Sequence, residues 1–158
     1  IESGKRNILY LYTSYSYSGL NKLQGYKDAL NAAGISVREE YIHQCPKNIT
    51  AARELCARLF EDGLVFDGCL TSDDSLAVGA VKFAHQAGIA IPEQLSIVGY
   101  NNSILAQSSY PELTSIDSKV EALCITTVNT LMGLFNGANV PAKTTISADL
   151  IIRETTKF

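Results

Sequence analysis

Apolar positions along the chain switch repeatedly between the unbroken or alternating runs of strands and the 3.6-residue spacing of helices. Residues 7–12 are nearly unbroken apolar and predict a first strand. Leu20, Leu23, Tyr26, Leu30 and Ala33 then share one helical face, which closes at Gly34. Residues 35–41 alternate like a strand, and Ile49, Ala52, Leu55, Cys56, Leu59 and Phe60 mark a second helix stopped by Gly63. Residues 66–71 form a short apolar strand. Leu76, Ala77, Ala80, Val81 and Ala84 mark a third helix ending at Gly88, and residues 95–100 predict another strand. A polar loop runs through Pro111. Ser118 and Glu121 have capping-box spacing before a helix whose buried face would be Val120, Leu123, Cys124, Val128, Leu131 and Phe135, closed by Gly137. Each helix thus ends in a glycine, which takes the left-handed C-terminal conformation without a Cβ penalty. A final strand is expected within residues 145–152.

Strand–helix alternation with short connections returns the chain to the same edge of a sheet and implies parallel strands. Strands this apolar are covered on both faces. The fold class is therefore α/β, a doubly wound parallel sheet.

Composition leaves this picture standing and narrows the function. The chain has 158 residues, 46% hydrophobic and 18% charged, enough for one core without staples. No apolar run nears the ~20 residues of a membrane span, and the first residues lack a signal-peptide stretch. The net charge of −3 is a poor match for DNA phosphates. Cys45, Cys56, Cys69 and Cys124 show no metal or redox spacing, and read as small buried hydrophobes of a protein from a reducing, cytoplasmic compartment. His43 and His85 have no partner at zinc-ligand spacing. No metal and no cofactor is expected.

Ligands of such sheets bind outside the carboxyl ends of the strands. That rule nominates the loops at residues 13–18, 43–48, 72–75 and 101–103, which offer hydroxyls, amides, carboxylates and aromatic rings. An uncharged, hydroxyl-rich ligand suits them. Local readings compete at each: Asp73 and Asp74 are placed to cap a helix, and Asn101 and Asn102 are ordinary turn residues. There is no nucleophile elbow, no phosphate-binding glycine loop and no paired acid and base, so catalysis is not expected.

Three blocks carry a resemblance. They are Phe66-Asp67-Gly68-Cys69-Leu70-Thr71-Ser72-Asp73-Asp74-Ser75-Leu76-Ala77-Val78-Gly79-Ala80, then residues 87–102 with Ile91-Pro92-Glu93 and Val98-Gly99-Tyr100-Asn101-Asn102, then Pro111-Glu112-Leu113-Thr114-Ser115-Ile116. In this order, after Leu23-Gln24-Gly25-Tyr26, they closely resemble the effector-binding domain of LacI/GalR-type bacterial transcription regulators, essentially from Ile1 to Thr156.

The resemblance implies a periplasmic-binding-protein-like domain of two lobes, preceded in full-length members by a helix-turn-helix DNA-binding domain. It implies that this chain starts mid-domain, with residues 14–113 as the C-terminal lobe and residues 1–13 and 114–158 as the rest of the N-terminal lobe. The DNA-binding domain would be absent. Carried over residue by residue, the ligand site would use Asp73, Asn101 and Lys22, the last where the family usually has Arg. Ser14, Tyr15 and Ser16 join from the first nominated loop. The implied partners are a small sugar or polyol effector, a second copy of the chain, and operator DNA through the absent domain, with no membrane. The alternative of another class is the substrate-binding protein of a sugar-type transporter.

Overall fold

A computed structural model describes residues 1–14 and 16–157 of the chain. Strand β1 (Ile8–Tyr12) is followed by α1 (Tyr17–Ala32), then β2 (Ile42–Gln44), α2 (Ile49–Glu61), β3 (Gly68–Thr71) and α3 (Asp74–Ala87). Strand β4 (Ser96–Tyr100), α4 (Ile104–Ser108), β5 (Thr114–Asp117), α5 (Val120–Phe135) and β6 (Asp149–Ile151) complete the chain. The strands form one sheet in the order β2-β1-β3-β4-β5-β6, parallel except for β6, which runs antiparallel to β5. Strands β1 and β5, on either side of the residues 14–113 expected as one lobe, are both paired into this sheet.

Alternation within β1 explains the layers. Leu9 and Leu11 join Ala52, Cys56, Leu76, Ala80 and Ile97 in a core beneath α2 and α3. Tyr10 and Tyr12 point the other way, toward Tyr26 and Leu30 of α1. The Tyr10 and Tyr26 rings stack at 5.0 Å, and the Tyr26 hydroxyl donates to the Ile8 carbonyl at 2.8 Å. Helices on opposite faces make the fold doubly wound. Gly34, Gly63, Gly88 and Gly137 have positive φ just past their helices, as expected. Cys45, Cys56 and Cys69 are buried free thiols, and burial pushes the Cys56 thiol up to about 12.

Several expectations fail for identifiable reasons. Residues 35–38 are irregular and Glu39–Tyr41 form a 3-10 turn, so the second strand falls later. Tyr41 is anchored there by its hydroxyl, which donates to the Val65 carbonyl. The polar loop before Pro111 contains α4, and β5 follows it, too short and too polar to show a period. The capping box does not form: Lys119, at φ 53°, is the N-cap residue of α5 and makes no side-chain cap bond. Instead, the Asp117 carboxylate accepts from the Lys119 amide. The final strand shrinks to three residues, and it is antiparallel because α5 does not pack back onto the sheet as a crossover helix would. Indeed, α5 buries no residue. Cys124 is exposed, and Val120, Leu123, Val128, Leu131 and Phe135 are each about half or more exposed.

The packing of α2 on α3 rests on one glycine. A Cβ at Gly79 would lie 2.5 Å from the Ala52 Cβ and 2.6 Å from the Ile49 carbonyl. Gly79→Val is therefore expected to cost about 1–3 kcal/mol through overpacking. Gly25→Ala, within α1 and with open space at the added Cβ, is expected to stabilise by about 0.5–1 kcal/mol. Denaturant midpoints measure both, and shifts of the same sign would refute the comparison.

Candidate functional site

Sheet topology places a crevice between β1 and β3. From β1 the chain departs over one face as α1, whereas β3 continues into α3 on the other. The loops after these strands diverge, leaving room for a ligand between them. Across the gap the Thr13 amide donates to the Ser72 Oγ at 3.1 Å, and the Lys22 Nζ donates to the Ser72 carbonyl at 3.2 Å. The Lys22 ammonium also lies 3.5 Å from the centroid of the Tyr100 ring. Desolvation lowers the Lys22 pKa, with the Asp73 carboxylate opposing and the Lys47 ammonium adding to the shift.

Asp73 lies at the centre. It is the N-cap of α3, and its Oδ1 accepts from the Ser75 amide at 3.0 Å and from the Ser75 hydroxyl at 2.6 Å. Its Oδ2 accepts from the Asn101 Nδ2 at 2.9 Å and from the Lys47 Nζ at 2.7 Å. Burial alone would raise its pKa. The hydrogen bonds from Lys47 and Ser75 and the Lys47 charge outweigh that and hold the carboxyl below its usual range.

The competing local readings of the two aspartates resolve differently. Asp73 caps and faces the crevice at once. Asp74, 1% exposed, turns inward: its Oδ2 accepts from the amide and hydroxyl of Ser103 at 2.7 and 2.8 Å, and its Oδ1 accepts from the Ser115 hydroxyl at 2.6 Å. It thereby locks the start of α3 to the turn after β4 and to β5.

That turn is strained. Asn101 and Asn102 have φ of 105° and 50°, where a side chain is disfavoured and Asn is better tolerated than most. The Asn101 amide donates to the Ile116 carbonyl, the Asn102 amide to the Ser115 Oγ, and the Asn102 Oδ1 accepts from Arg153 at 2.7 Å. Their role as turn residues is real. It is also what aims the Asn101 amide at Asp73.

The structure thus brings Lys22, Asp73 and Asn101 together at one rim. Ser14 and Ser16 are exposed on the α1 side, where their hydroxyls bond each other at 3.2 Å and the Ser16 Oγ caps α1 by accepting from the Gly19 amide. Among the described residues neither hydroxyl hydrogen-bonds to Asp73 or Asn101, and Tyr15 lies outside the described residues. The sequence reading did not single out Lys47, Ser72 or Tyr100. Lys47 and Ser72 fall within nominated loops, and Tyr100 ends a strand, so position marked all three while residue type did not. Among the described residues no group of His, Cys, Asp or Glu could hold a metal, and no helix is long and apolar enough to cross a membrane. Below the rim, a groove of about 440 Å³ extends along the α1 side of β3 to β5, past Leu70, Val98 and Ile116.

Residues 1–156 match the family described as the periplasmic binding protein-like domain. An HTH-type transcriptional regulator of Lachnoclostridium phytofermentans is 51% identical over the whole chain, which covers 47% of that protein. The regulator AscG of Escherichia coli is 31% identical over 98% of the chain and 46% of its own length. A solved structure described as a sugar-binding transcriptional regulator of the LacI family from Escherichia coli superposes with a TM-score of 0.89 at 30% identity, covering 98% of this chain and 56% of that one. The chain spans about half the length of the curated relatives it matches.

The depressed Asp73 pKa carries a pH signature. A carboxyl whose folded pKa is below its unfolded value stabilises fully above the unfolded value, about 3.9, and loses that stabilisation as pH falls through the folded one. Asp73→Asn is expected to be less stable than the wild type at pH ~7, with the gap closing in acid below pH ~4. Urea unfolding across that range measures it; a gap that does not change with pH would refute it.

Proposed function

The chain belongs to the periplasmic binding protein-like domain family, in the form found in LacI-type transcription regulators, and on that premise we propose that it senses a small effector for such a regulator. The observation that carries this reading is the convergence at the switch point. Lys22, Asp73 and Asn101 come from three separate chain segments and meet at one rim, each held by a hydrogen bond to another loop. Their chemistry is polar and oriented, which fits the binding of a polar ligand.

In this reading the complete protein places a second lobe over the rim, so that a sugar-like ligand is enclosed between two halves. Dimerisation through these residues and operator binding by parts beyond them complete the function, in the cytoplasm. The exposed apolar length of α5 supports a covered face, since contiguous apolar surface of this kind marks an interface. Effector and DNA are linked only through the ligand's different affinities for two lobe arrangements. The named relatives are transcriptional regulators, which favours this over a transporter component.

Calorimetry on the intact regulator against sugars, nucleosides and amino acids tests the site. Asn101→Gly removes the amide while keeping the positive φ, and is expected to weaken effector binding by about 5- to 150-fold, the cost of leaving a buried group unpaired. Wild-type affinity in that variant would remove Asn101 from the site. Expressed alone, the 158-residue chain with its net charge of −3 is expected not to retard duplex DNA at physiological salt. Sequence-specific retardation by this chain would contradict the assignment of DNA binding to other residues.

A further inference from the structure

The hydrogen-bonding capacity of the rim is lopsided. An ionised carboxylate offers about four lone-pair positions, and Asp73 already has four donors on them: the Ser75 amide and hydroxyl, Asn101 and Lys47. A neutral sugar, which needs acceptors for its hydroxyl protons, finds that carboxylate saturated. Asp74 offers none either, since both of its oxygens are turned inward onto Ser103 and Ser115.

Donors, by contrast, are in surplus. An ammonium carries three N–H groups. Lys22 directs one at the Ser72 carbonyl and lies over the Tyr100 ring, and among the described residues it forms no ion pair. Lys47 meets Asp73 from a largely exposed position, with its side chain 65% accessible, so its ammonium can also turn toward a ligand. On the open side of the rim Lys22 and Lys47 outnumber Asp73, beside the positive N-terminal end of α3, while the Asp74 carboxylate is turned inward behind it.

We propose that the effector is an acidic derivative of a polyhydroxylated compound, bearing a carboxylate or a phosphate ester that Lys22 and Lys47 receive. This rests on the effector-site reading above and specifies its ligand class. The anionic group would sit between the two ammonium groups, supplying acceptors for their remaining N–H groups. Asn101 and the ring of Tyr100 remain to meet hydroxyl and C–H groups. Partial burial of Lys22 strengthens such a contact, because a half-desolvated cation gains more from an anion than one in water does.

Calorimetry on the intact regulator, at about 20 and 200 mM salt, tests this with glucose, galactose and fructose beside their aldonic or uronic acids and phosphate esters. At least one acid or ester is expected to bind about tenfold or more tightly than its neutral parent at low salt, with the gap narrowing at high salt. Lys22→Met should erase that gap and Lys22→Arg should retain most of it. Parents that bind as tightly as their acids would overturn the charge assignment and leave the effector site standing. Equal affinity for inorganic phosphate and the best ester would overturn it in favour of a bare anion. A preference for acids that survives Lys22→Met would also overturn it, since another group would then carry the charge. If no sugar, acid or ester binds and a nucleoside or amino acid does, the proposed ligand class falls and the effector site stands; if none of them binds, the effector-site reading itself falls.

Discussion

A buried carboxylate with no cationic partner among the described residues organises the end of the sheet that carries the candidate site. Asp74 reaches from the first turn of α3 into the space beside β4 and β5, and three hydrogen bonds from Ser103 and Ser115 offset its desolvation. Room for it exists because position 99 is glycine: a Cβ there would collide with the Asp74 carboxylate. Everything at the rim follows from this fixed point. With α3 held against the turn after β4, Asp73 next to it faces Asn101, and the strained φ of Asn101 is stabilised from both sides. A backbone in that region costs of order 1–3 kcal/mol, which the surrounding bonds must exceed.

The same turn connects the rim to the part of the chain that packs least. The Asn101 amide is hydrogen-bonded to Ile116 of β5, and β5 leads within three residues to Lys119, whose ammonium bridges Asp117 at 3.2 Å and Asp149 at 2.7 Å. Beyond it lies α5, apolar around much of its circumference and exposed. Arg153 closes the circuit, donating to the Leu113 carbonyl and the Asn102 side chain from the segment just after β6. A ligand that repositions Asn101 therefore acts on a segment one hydrogen bond away from the element that most needs a partner. That is a short physical path between the candidate rim and the exposed apolar helix.

Periodicity made the sheet's centre and the helices around it readable, because buried elements with one or two apolar faces write their burial into the chain. Cys56, Leu76 and Ala80 are cases in point, all fully buried where the pattern put them. It failed for α5, where an equally clear stripe at Val120, Leu123 and Leu131 lies exposed: a pattern records that a face is meant to be covered, not by what. It failed again for β5 and β6, whose short pairings depend on neighbours distant in sequence. The capping motif at Ser118 lost to a tertiary constraint, the Lys119 clamp between two carboxylates on adjacent strands. The resemblance supplied what periodicity could not, the assignment of Lys22, Asp73 and Asn101 to one site.

Residue identity, however, named only what chemistry those side chains can offer, and not how much of it is free. Asp73 reads as an acceptor for ligand hydroxyls when seen in sequence. In the folded chain its acceptor capacity is consumed by Ser75, Asn101 and Lys47, two of them distant from it along the chain. Lys22 reads as a weaker substitute for a planar guanidinium. It lies over Tyr100, bonded to a backbone carbonyl and forming no ion pair among the described residues, so its ammonium keeps donors for an incoming anion. Ligand preference at such a rim is set by the difference between what each group can make and what the fold has already used. Two members of one family with the same aspartate can thus prefer ligands of opposite polarity, provided a loop lysine reaches that aspartate in one and not in the other.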